Sequence, residues 1–323
     1  MKRLITWILS LTMVFTLTAC SGGVEQKKGN VNVADMMEKT AQYLQNTVTE
    51  PGYGAIGGEW TVLGLARSGL EIPVEYFETY WQNISAYTAQ LGGVLHNRKY
   101  TEYSRVILAV TAIGKDPADV GGYDLLVPLA DFEQTVFQGI NGPAFALIAL
   151  DSGNYEIPEN VTSNTQATRD MYVDYLISAQ LADGGWSLSG GQSEVDLTAM
   201  ALQALAKHQD RKDVADAVEK GLQVLSAMQN ENGGFSSYEG ETCESIAQTI
   251  VALTELGISL DDSRFVKNGN TLVDALVRFQ LEDGSFSHIL DDSGDLLATE
   301  QAFYALVATV RAEAGETSLY TMK

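Results

Sequence analysis

Five acidic side chains stand at or near the start of strongly apolar segments: Glu59, Glu102, Asp196, Glu244 and Glu300. If these segments are helices that run in the same direction, their first residues gather at one end of the molecule. A carboxylate in that position caps a helix and interacts favourably with its dipole, at about 0.5–2 kcal/mol for a good cap. The same carboxylates could instead form an acidic entrance to an apolar cavity, and the pattern leaves both roles open.

Aromatic and amide side chains accompany these acids. Trp60 follows Glu59 directly, while Gln248 and Gln301 lie inside apolar segments, where an amide group needs a hydrogen-bond partner. That partner is either another side chain or a ligand. We therefore predict a ligand-binding site without a metal, formed by Glu59, Trp60, Glu102, Asp196, Glu244, Gln248 and Glu300.

Three repeated segments indicate which elements position these residues. Residues 180–186 (QLADGGW), 229–235 (QNENGGF) and 280–286 (QLEDGSF) share the pattern Q-x-x-x-G-[GS]-[WF] and recur at intervals of about fifty residues. Each segment ends one helical stretch, turns at glycine and leads to an apolar stretch, which is typical of paired helices. Repeats of this length form open arrays or closed rings.

The apolar stretches predict inner helices, and the amphipathic stretches between them predict outer helices. We expect inner helices at residues 58–69, 102–113, 142–150, 196–206, 244–256 and 297–310. We expect outer helices at residues 34–47, 74–91, 117–131, 213–228 and 270–280, with a further helix ending near Gln180. Strand-like alternation is almost absent, so six such pairs predict an all-α fold, a closed (α/α)6 toroid.

The repeated turns resemble those of squalene cyclases and of protein prenyltransferase β-subunits. Residues 193–201 (SEVDLTAMA) resemble more closely the α-domain of the transcobalamin and intrinsic-factor family. The first resemblance implies a toroid of the terpenoid-cyclase type, and the second implies non-catalytic binding of cobalamin or a similar bulky nutrient.

The cobalamin carriers hold the corrinoid between the toroid and a separate β-domain. In some members a histidine just before the motif ligates cobalt, whereas Gln192 and Ser193 occupy those positions here. The resemblance therefore implies that a partner surface protein would have to complete such a site.

The sequence lacks several of the residues that catalytic toroids of related families use. Class II terpene cyclases protonate an alkene with the central acid of D-x-D-D; Asp196 matches that acid, but Leu197 replaces the last aspartate. The zinc-binding set of prenyltransferases is not matched around Cys243, and Ile246 stands where a thioester domain has glutamine. Glycan hydrolysis by paired carboxylates stays open, as does a scaffold that binds another surface protein.

The N-terminal residues predict export and a lipid anchor. Lys2 and Arg3 precede an apolar stretch at 4–17 that is too short to span a bilayer. The sequence LTAC that ends at Cys20 resembles the bacterial lipobox, which implies cleavage before Cys20 and its acylation. We expect a signal peptide at 1–19, a flexible tether at 20–33, the toroid at 34–323 and a location on the extracytoplasmic face of a bacterial cell membrane.

The composition agrees with a large core in an acidic protein. The net charge of -22 excludes nucleic acid as a natural partner. Hydrophobic residues make up 45% of the 323-residue chain, which is enough for an extensive core. Beyond Cys20 the only cysteine is Cys243, so stability must come from packing rather than from disulfides.

Overall fold

The computed structural model describes residues 32–237 and 240–323. The predicted signal peptide, Cys20 and nearly all of the predicted tether lie outside these residues. Val33, the last residue of that tether, already belongs to the first helix, because the Asn32 side chain caps the helix and Val33 is buried. No helix within the described part of the chain is long and apolar enough to cross a membrane.

Helices in the described residues alternate between outer and inner positions. The outer helices are α1 (Val33–Thr47), α3 (Val74–Gln90), α5 (Phe132–Val136), α7 (Arg169–Ser178), α9 (Lys212–Met228) and α11 (Leu272–Leu276). The inner helices are α2 (Glu59–Arg67), α4 (Thr101–Ala112), α6 (Asn141–Ser152), α8 (Val195–Leu205), α10 (Cys243–Glu255) and α12 (Leu296–Glu313).

The six inner helices form a closed ring. Each inner helix packs against the next one along the chain, and α12 packs against α2. The outer helix α1 also packs against α12, so the first pair and the last pair are neighbours. These contacts confirm the predicted all-α, (α/α)6 toroid.

Burial explains the two kinds of helix. Every residue of α10 from Cys243 to Thr254 is buried, whereas α9 buries a single face. Burial also raises the pKa of the Cys243 thiol well above its usual value, with the negative charges of Glu244 and Asp295 adding to the shift. A thiol that is neutral and inaccessible is inert, so Cys243 is a core residue.

The glutamine that opens each repeated segment links one repeat to the next. Gln180 and Gln229 each donate through the side-chain amide to two carbonyl oxygens, one in their own turn and one in the following repeat, at 2.8–2.9 Å. Gln280 donates to the carbonyl oxygen of Met36 at 3.0 Å and to the hydroxyl of Thr40 at 2.9 Å, both in α1. The motif therefore joins the last repeat to the first helix.

Two short antiparallel hairpins precede the last two inner helices. Strands β1 (Ser236–Ser237) and β2 (Gly240–Glu241) stand before α10, and strands β3 (Phe286–Ser287) and β4 (Gly294–Asp295) stand before α12. The described chain contains no other β-strands, in agreement with the weak strand pattern of the sequence.

The third outer helix differs from the prediction at residues 117–131. A backbone hydrogen bond from Leu125 to Pro117 closes a loop there, and only Val127–Ala130 is helical, as a 3-10 turn before the short α5. The bond joins residues too far apart for a local helical pattern to reveal it. The predicted outer helix at 270–280 is also shorter, since α11 gives way to a 3-10 turn after one and a half turns.

Candidate functional site

A cavity of about 350 Å³ lies at the end of the ring where the inner helices begin. All six inner helices contribute to its wall, mainly through their N-terminal halves. Its volume is near the lower end of the range for small-molecule sites, about 300–1,000 Å³. The lining residues are Trp60, Thr101, Arg105, Gln138, Asn141, Phe145, Asp196, Leu197, Met200, Gln248, Gln301 and Tyr304.

Aromatic rings form part of this wall. The ring of Trp60 lies 5.9 Å from that of Phe145 on α6 and 5.7 Å from that of Tyr304 on α12, measured between centroids. Leu197 and Met200 of α8 add apolar surface. The predicted site residue Trp60 therefore lines the cavity and offers a ligand a flat apolar contact.

Asp196 is the only carboxylate among the lining side chains. Its Oδ1 is buried and has no hydrogen-bond partner in the described chain. Burial raises the pKa of this carboxyl, against a hydrogen bond with Ser245 and the charge of His288. A buried acceptor without a partner is costly, so a ligand that donates a hydrogen bond to Asp196 would recover part of that cost.

Two predicted site residues, Glu59 and Glu102, bind Arg105 and are not among the lining residues. The Nε atom of Arg105 lies 2.7 Å from Oε2 of Glu59, and its Nη2 contacts Oε2 of Glu102. Burial raises the pKa of Glu59 to about 6, against the charge of Arg105. Burial acts in the same direction on Glu102, but its contacts with Arg105 and Tyr53 prevail and lower the pKa. The charge that Arg105 presents to the cavity is therefore already compensated.

Glu300 joins the last inner helix to the first. Its Oε1 accepts hydrogen bonds from the backbone N–H groups of Gly57 (3.1 Å) and Thr61 (3.2 Å) and from the Thr61 hydroxyl, whereas Oε2 is buried without a partner in the described residues. Burial raises the pKa of Glu300 to about 7, although these hydrogen bonds oppose the shift. The structure thus places this predicted site residue in the packing between helices.

Glu244 contacts His288, a pairing that the sequence pattern does not reveal. Both carboxylate oxygens lie 2.8 Å from Nδ1 of His288, which is on the turn between β3 and β4. Burial raises the pKa of Glu244, and the hydrogen bond with His288 opposes that shift. The pair ties the hairpin to the start of α10, beside the cavity rather than in its lining.

Gln248 lines the cavity and finds its partners within the chain. Its Nε2 donates to Oε1 of Gln301 at 2.9 Å and to the hydroxyl of Tyr304 at 2.6 Å. Its Oε1 accepts from Nε2 of Gln203 at 2.9 Å. The predicted need for a polar partner inside these apolar helices is therefore met within the chain, by side chains on two other inner helices, α8 and α12.

Several residues of this site were not predicted from the sequence, among them Arg105, Gln203, Phe145 and Tyr304. Arg105 and Gln203 carry the signal that drew attention to Gln248, a polar side chain within an apolar helix, and could have been found by it. Phe145 and Tyr304 have no such signal, because aromatic residues of paired helices also pack in the core. Within the described residues, no group of three or more histidine, cysteine, aspartate or glutamate side chains could hold a metal ion.

A closed ring of inner and outer helices with a cavity at one mouth defines this protein as an α/α toroid. The family model described as the prenyltransferase alpha-alpha toroid domain matches residues 144–242 and again 201–312, which together span just over half of the chain. The chain belongs to this family, within the terpenoid cyclase and prenyltransferase toroid superfamily. No sequence among the curated proteins matches it.

Solved structures show the same fold at low sequence identity. The type II terpene cyclase MstE from Scytonema is 13% identical, with a TM-score of 0.56 over 87% of this chain and 99% of that chain. The unsaturated glucuronyl hydrolase from Bacillus sp. GL1, responsible for the degradation of glycosaminoglycan, is 13% identical, with a TM-score of 0.56 over 90% of this chain and 98% of that chain. These similarities establish the fold and leave the activity open. The resemblance of residues 193–201 to cobalamin carriers stays a prediction.

Proposed function

We propose that the toroid binds a small, neutral, polar ligand in its central cavity without transforming it. We further propose that a lipid on Cys20 holds the protein on the extracytoplasmic face of a bacterial membrane. The observation that carries the first proposal is the cavity itself, to which all six inner helices contribute side chains. The second rests on the lipobox-like sequence that ends at Cys20.

The charges around the cavity favour a neutral ligand. Arg105 is paired with two carboxylates, so it offers little net attraction to an anion. Asp196 is the remaining charged side chain of the wall, and burial favours its neutral form. The amides of Gln138, Asn141 and Gln301 would lose hydrogen bonds against a hydrocarbon, which favours a ligand with polar groups.

The residues of the wall favour binding over catalysis. Glycosidases need two carboxyl groups about 5–9.5 Å apart, and Asp196 is the single carboxylate of this lining. For alkene cyclisation, the position after Asp196 is Leu197, so the carboxylate that would support a strong acid is replaced. Several amide groups also line the cavity, where an apolar wall would suit a carbocation better.

A cobalamin ligand would fit this cavity only in part. A corrinoid with its side chains is much larger than the small molecules that occupy sites of about 350 Å³. A peripheral group of a corrinoid could enter, with the remainder outside the ring against a partner protein. We therefore retain cobalamin as a competitor in the experiment rather than as the proposed ligand.

One observation favours a second candidate function, general acid catalysis by Asp196. Its buried, unpartnered oxygen and raised pKa are properties of carboxyl groups that act as general acids. This function predicts turnover of a bound molecule that is lost in Asp196→Asn while the protein remains folded.

The proposal is tested by mass spectrometry of small molecules retained by the full-length chain purified in detergent. We expect one neutral, polar compound to be retained, released unchanged on denaturation, and not displaced by cobalamin or by polyprenyl lipids. The Asp196→Leu variant should no longer retain the compound, because the substitution replaces the carboxyl group with an apolar group of similar size. The proposal would be refuted by displacement with either competitor, by recovery of a modified compound, or by equal retention in the variant.

A further inference from the structure

The hydrogen bonds among three glutamines have a direction that one backbone group determines. Nε2 of Gln203 donates to the backbone carbonyl oxygen of Gln248 at 3.0 Å and to the side-chain Oε1 of Gln248 at 2.9 Å. A backbone carbonyl can only accept a hydrogen bond, so the NH2 group of Gln203 must face Gln248. The side chain of Gln248 must then turn its oxygen toward Gln203.

The donor-to-acceptor direction of these hydrogen bonds continues from Gln248 to α12. With its oxygen toward Gln203, Gln248 directs both amide hydrogens the other way, to Oε1 of Gln301 at 2.9 Å and to the hydroxyl oxygen of Tyr304 at 2.6 Å. Gln301 therefore accepts through its oxygen, which leaves its NH2 group for the cavity that it lines. The hydroxyl of Tyr304 also accepts, so its own hydrogen remains for another acceptor.

The facing wall offers acceptors instead. Oδ1 of Asn141 on α6 and Oδ1 of Asp196 on α8 are buried and without hydrogen-bond partners in the described chain. Helix α6 lies across the ring from α12, since two inner helices separate them on either side. The side of the cavity at α12 therefore presents the amide donor of Gln301, and the side at α6 and α8 contains two oxygen acceptors without a partner in the described chain.

We propose that this glutamine relay, Gln203–Gln248–Gln301, fixes the polarity of the cavity and selects a hydroxyl-rich ring, a monosaccharide or a terminal sugar unit. Each hydroxyl group both donates and accepts, so such a ring satisfies the two walls together, and its apolar face packs on Trp60. Gln203 is 5% exposed and does not line the cavity, so it is a positioning residue that acts through Gln248. The ligand class rests on the proposed binding function, whereas the direction of the relay does not.

Amide hydrogen exchange tests the direction without any ligand. In the full chain labelled with 15N at the glutamine side chains, the NH2 group of Gln248 should exchange slowly, because both hydrogens are bonded and buried. The NH2 group of Gln301, identified by its loss in Gln301→Met, should exchange fast. In Gln203→Met, the NH2 group of Gln248 should lose its protection from hydrogen exchange. Slow exchange at Gln301 together with fast exchange at Gln248 would show the opposite direction and overturn the relay.

Binding tests the ligand class. D-Glucose, D-galactose, D-mannose and N-acetyl-D-glucosamine serve as probes in calorimetric titrations, and cyclohexanol serves as a ring of similar size with a single hydroxyl. At least one sugar should saturate the wild-type chain and bind more tightly than cyclohexanol. Gln203→Met and Gln301→Met should each weaken that sugar about fivefold to tenfold, the effect of one hydrogen bond. The double variant should lose little more than either single variant, because both act on the same contact.

The control is Gln223→Met, on the exposed surface of α9, which should leave sugar affinity and amide exchange unchanged. If sugars bind but Gln203→Met and Gln301→Met keep full affinity, the relay is wrong and the binding function stands. If the exchange pattern is as expected but none of the four sugars binds, the sugar class is wrong and the relay stands. The retention experiment then decides separately whether the cavity binds any ligand.

Discussion

Thr61, in the first inner helix, donates two hydrogen bonds to Glu300 in the last, one from its backbone N–H and one from its hydroxyl. The two residues are 239 positions apart, so this buried carboxylate closes the ring directly. The other oxygen of Glu300 has no partner in the described residues, and burial raises the pKa of the group to about 7. We therefore expect the stability of this contact between the last and the first inner helix to depend on pH.

Glu300→Gln should change how stability depends on pH. The carboxyl has a pKa near 4.5 when unperturbed and about 7 in the fold, so between these values the folded state binds more protons than the unfolded state. The free energy of unfolding of the wild type should thus fall as pH rises from about 4.5 to 7. Glutamine does not ionise and can still accept from Thr61. Between pH 5 and pH 8 the variant should gain about 2–3 kcal/mol relative to the wild type, measured by urea unfolding.

The matched control for this experiment is Glu282→Gln, in the exposed part of a repeated turn. Its pH profile should run parallel to that of the wild type. Parallel profiles for Glu300→Gln as well would contradict a raised pKa at the ring closure.

Arg105→Met should destabilise the protein, and more strongly at high pH. At pH 8 the substitution leaves the fully buried Glu59 without its cation, so its carboxyl must either stay charged or take up a proton, and either outcome costs about 3–5 kcal/mol. At pH 5 the loss should be smaller, because Glu59, with a pKa of about 6 even beside Arg105, can take up a proton. Adding Glu59→Gln should restore part of the stability at pH 8. No recovery in the double variant would show that Arg105 acts mainly through its packing.

Gln280→Leu should weaken the junction between the last repeat and α1. The substitution removes two hydrogen bonds, to Met36 and Thr40, at a cost of about 1–3 kcal/mol in urea unfolding. Gln223→Leu, at an exposed position of α9, provides the control and should stay within about 0.5 kcal/mol of the wild type. An equally small effect at Gln280 would mean that ring closure does not depend on the repeated glutamine.

The ring could be predicted from the sequence, because three turn motifs set the repeat length in the C-terminal half and apolar stretches of similar spacing mark the inner helices of the N-terminal half. The loop near Pro117 was not predictable, since its backbone contacts do not follow any helical period. Among the predicted site residues, Trp60 and Asp196 line the cavity as their positions at the helix starts suggested. The pairing of Glu59 with Arg105 could not be predicted, because the two residues lie 46 positions apart and sequence patterns do not give distances between helices.

Cys20→Ser should release the protein from the membrane. The substitution removes the thiol that a lipoprotein acyl group requires, so radioactive palmitate should label the wild-type chain and not the variant. In fractionated cells the variant should move from the membrane pellet to the soluble fraction. Membrane retention of an unlabelled Cys20→Ser chain would show that another segment provides the anchor.

The central claim, ligand binding in the cavity without turnover, is tested most directly by calorimetric titration of the wild type, Trp60→Ala and Asp196→Asn with the four neutral sugars. We predict saturable binding to the wild type at one site, a loss of at least tenfold in affinity in Trp60→Ala, a smaller loss in Asp196→Asn, and recovery of the sugar unchanged. Unaltered affinity in both variants would place binding outside the cavity. Conversion of the sugar by the wild type but not by Asp196→Asn would show that the protein is an enzyme.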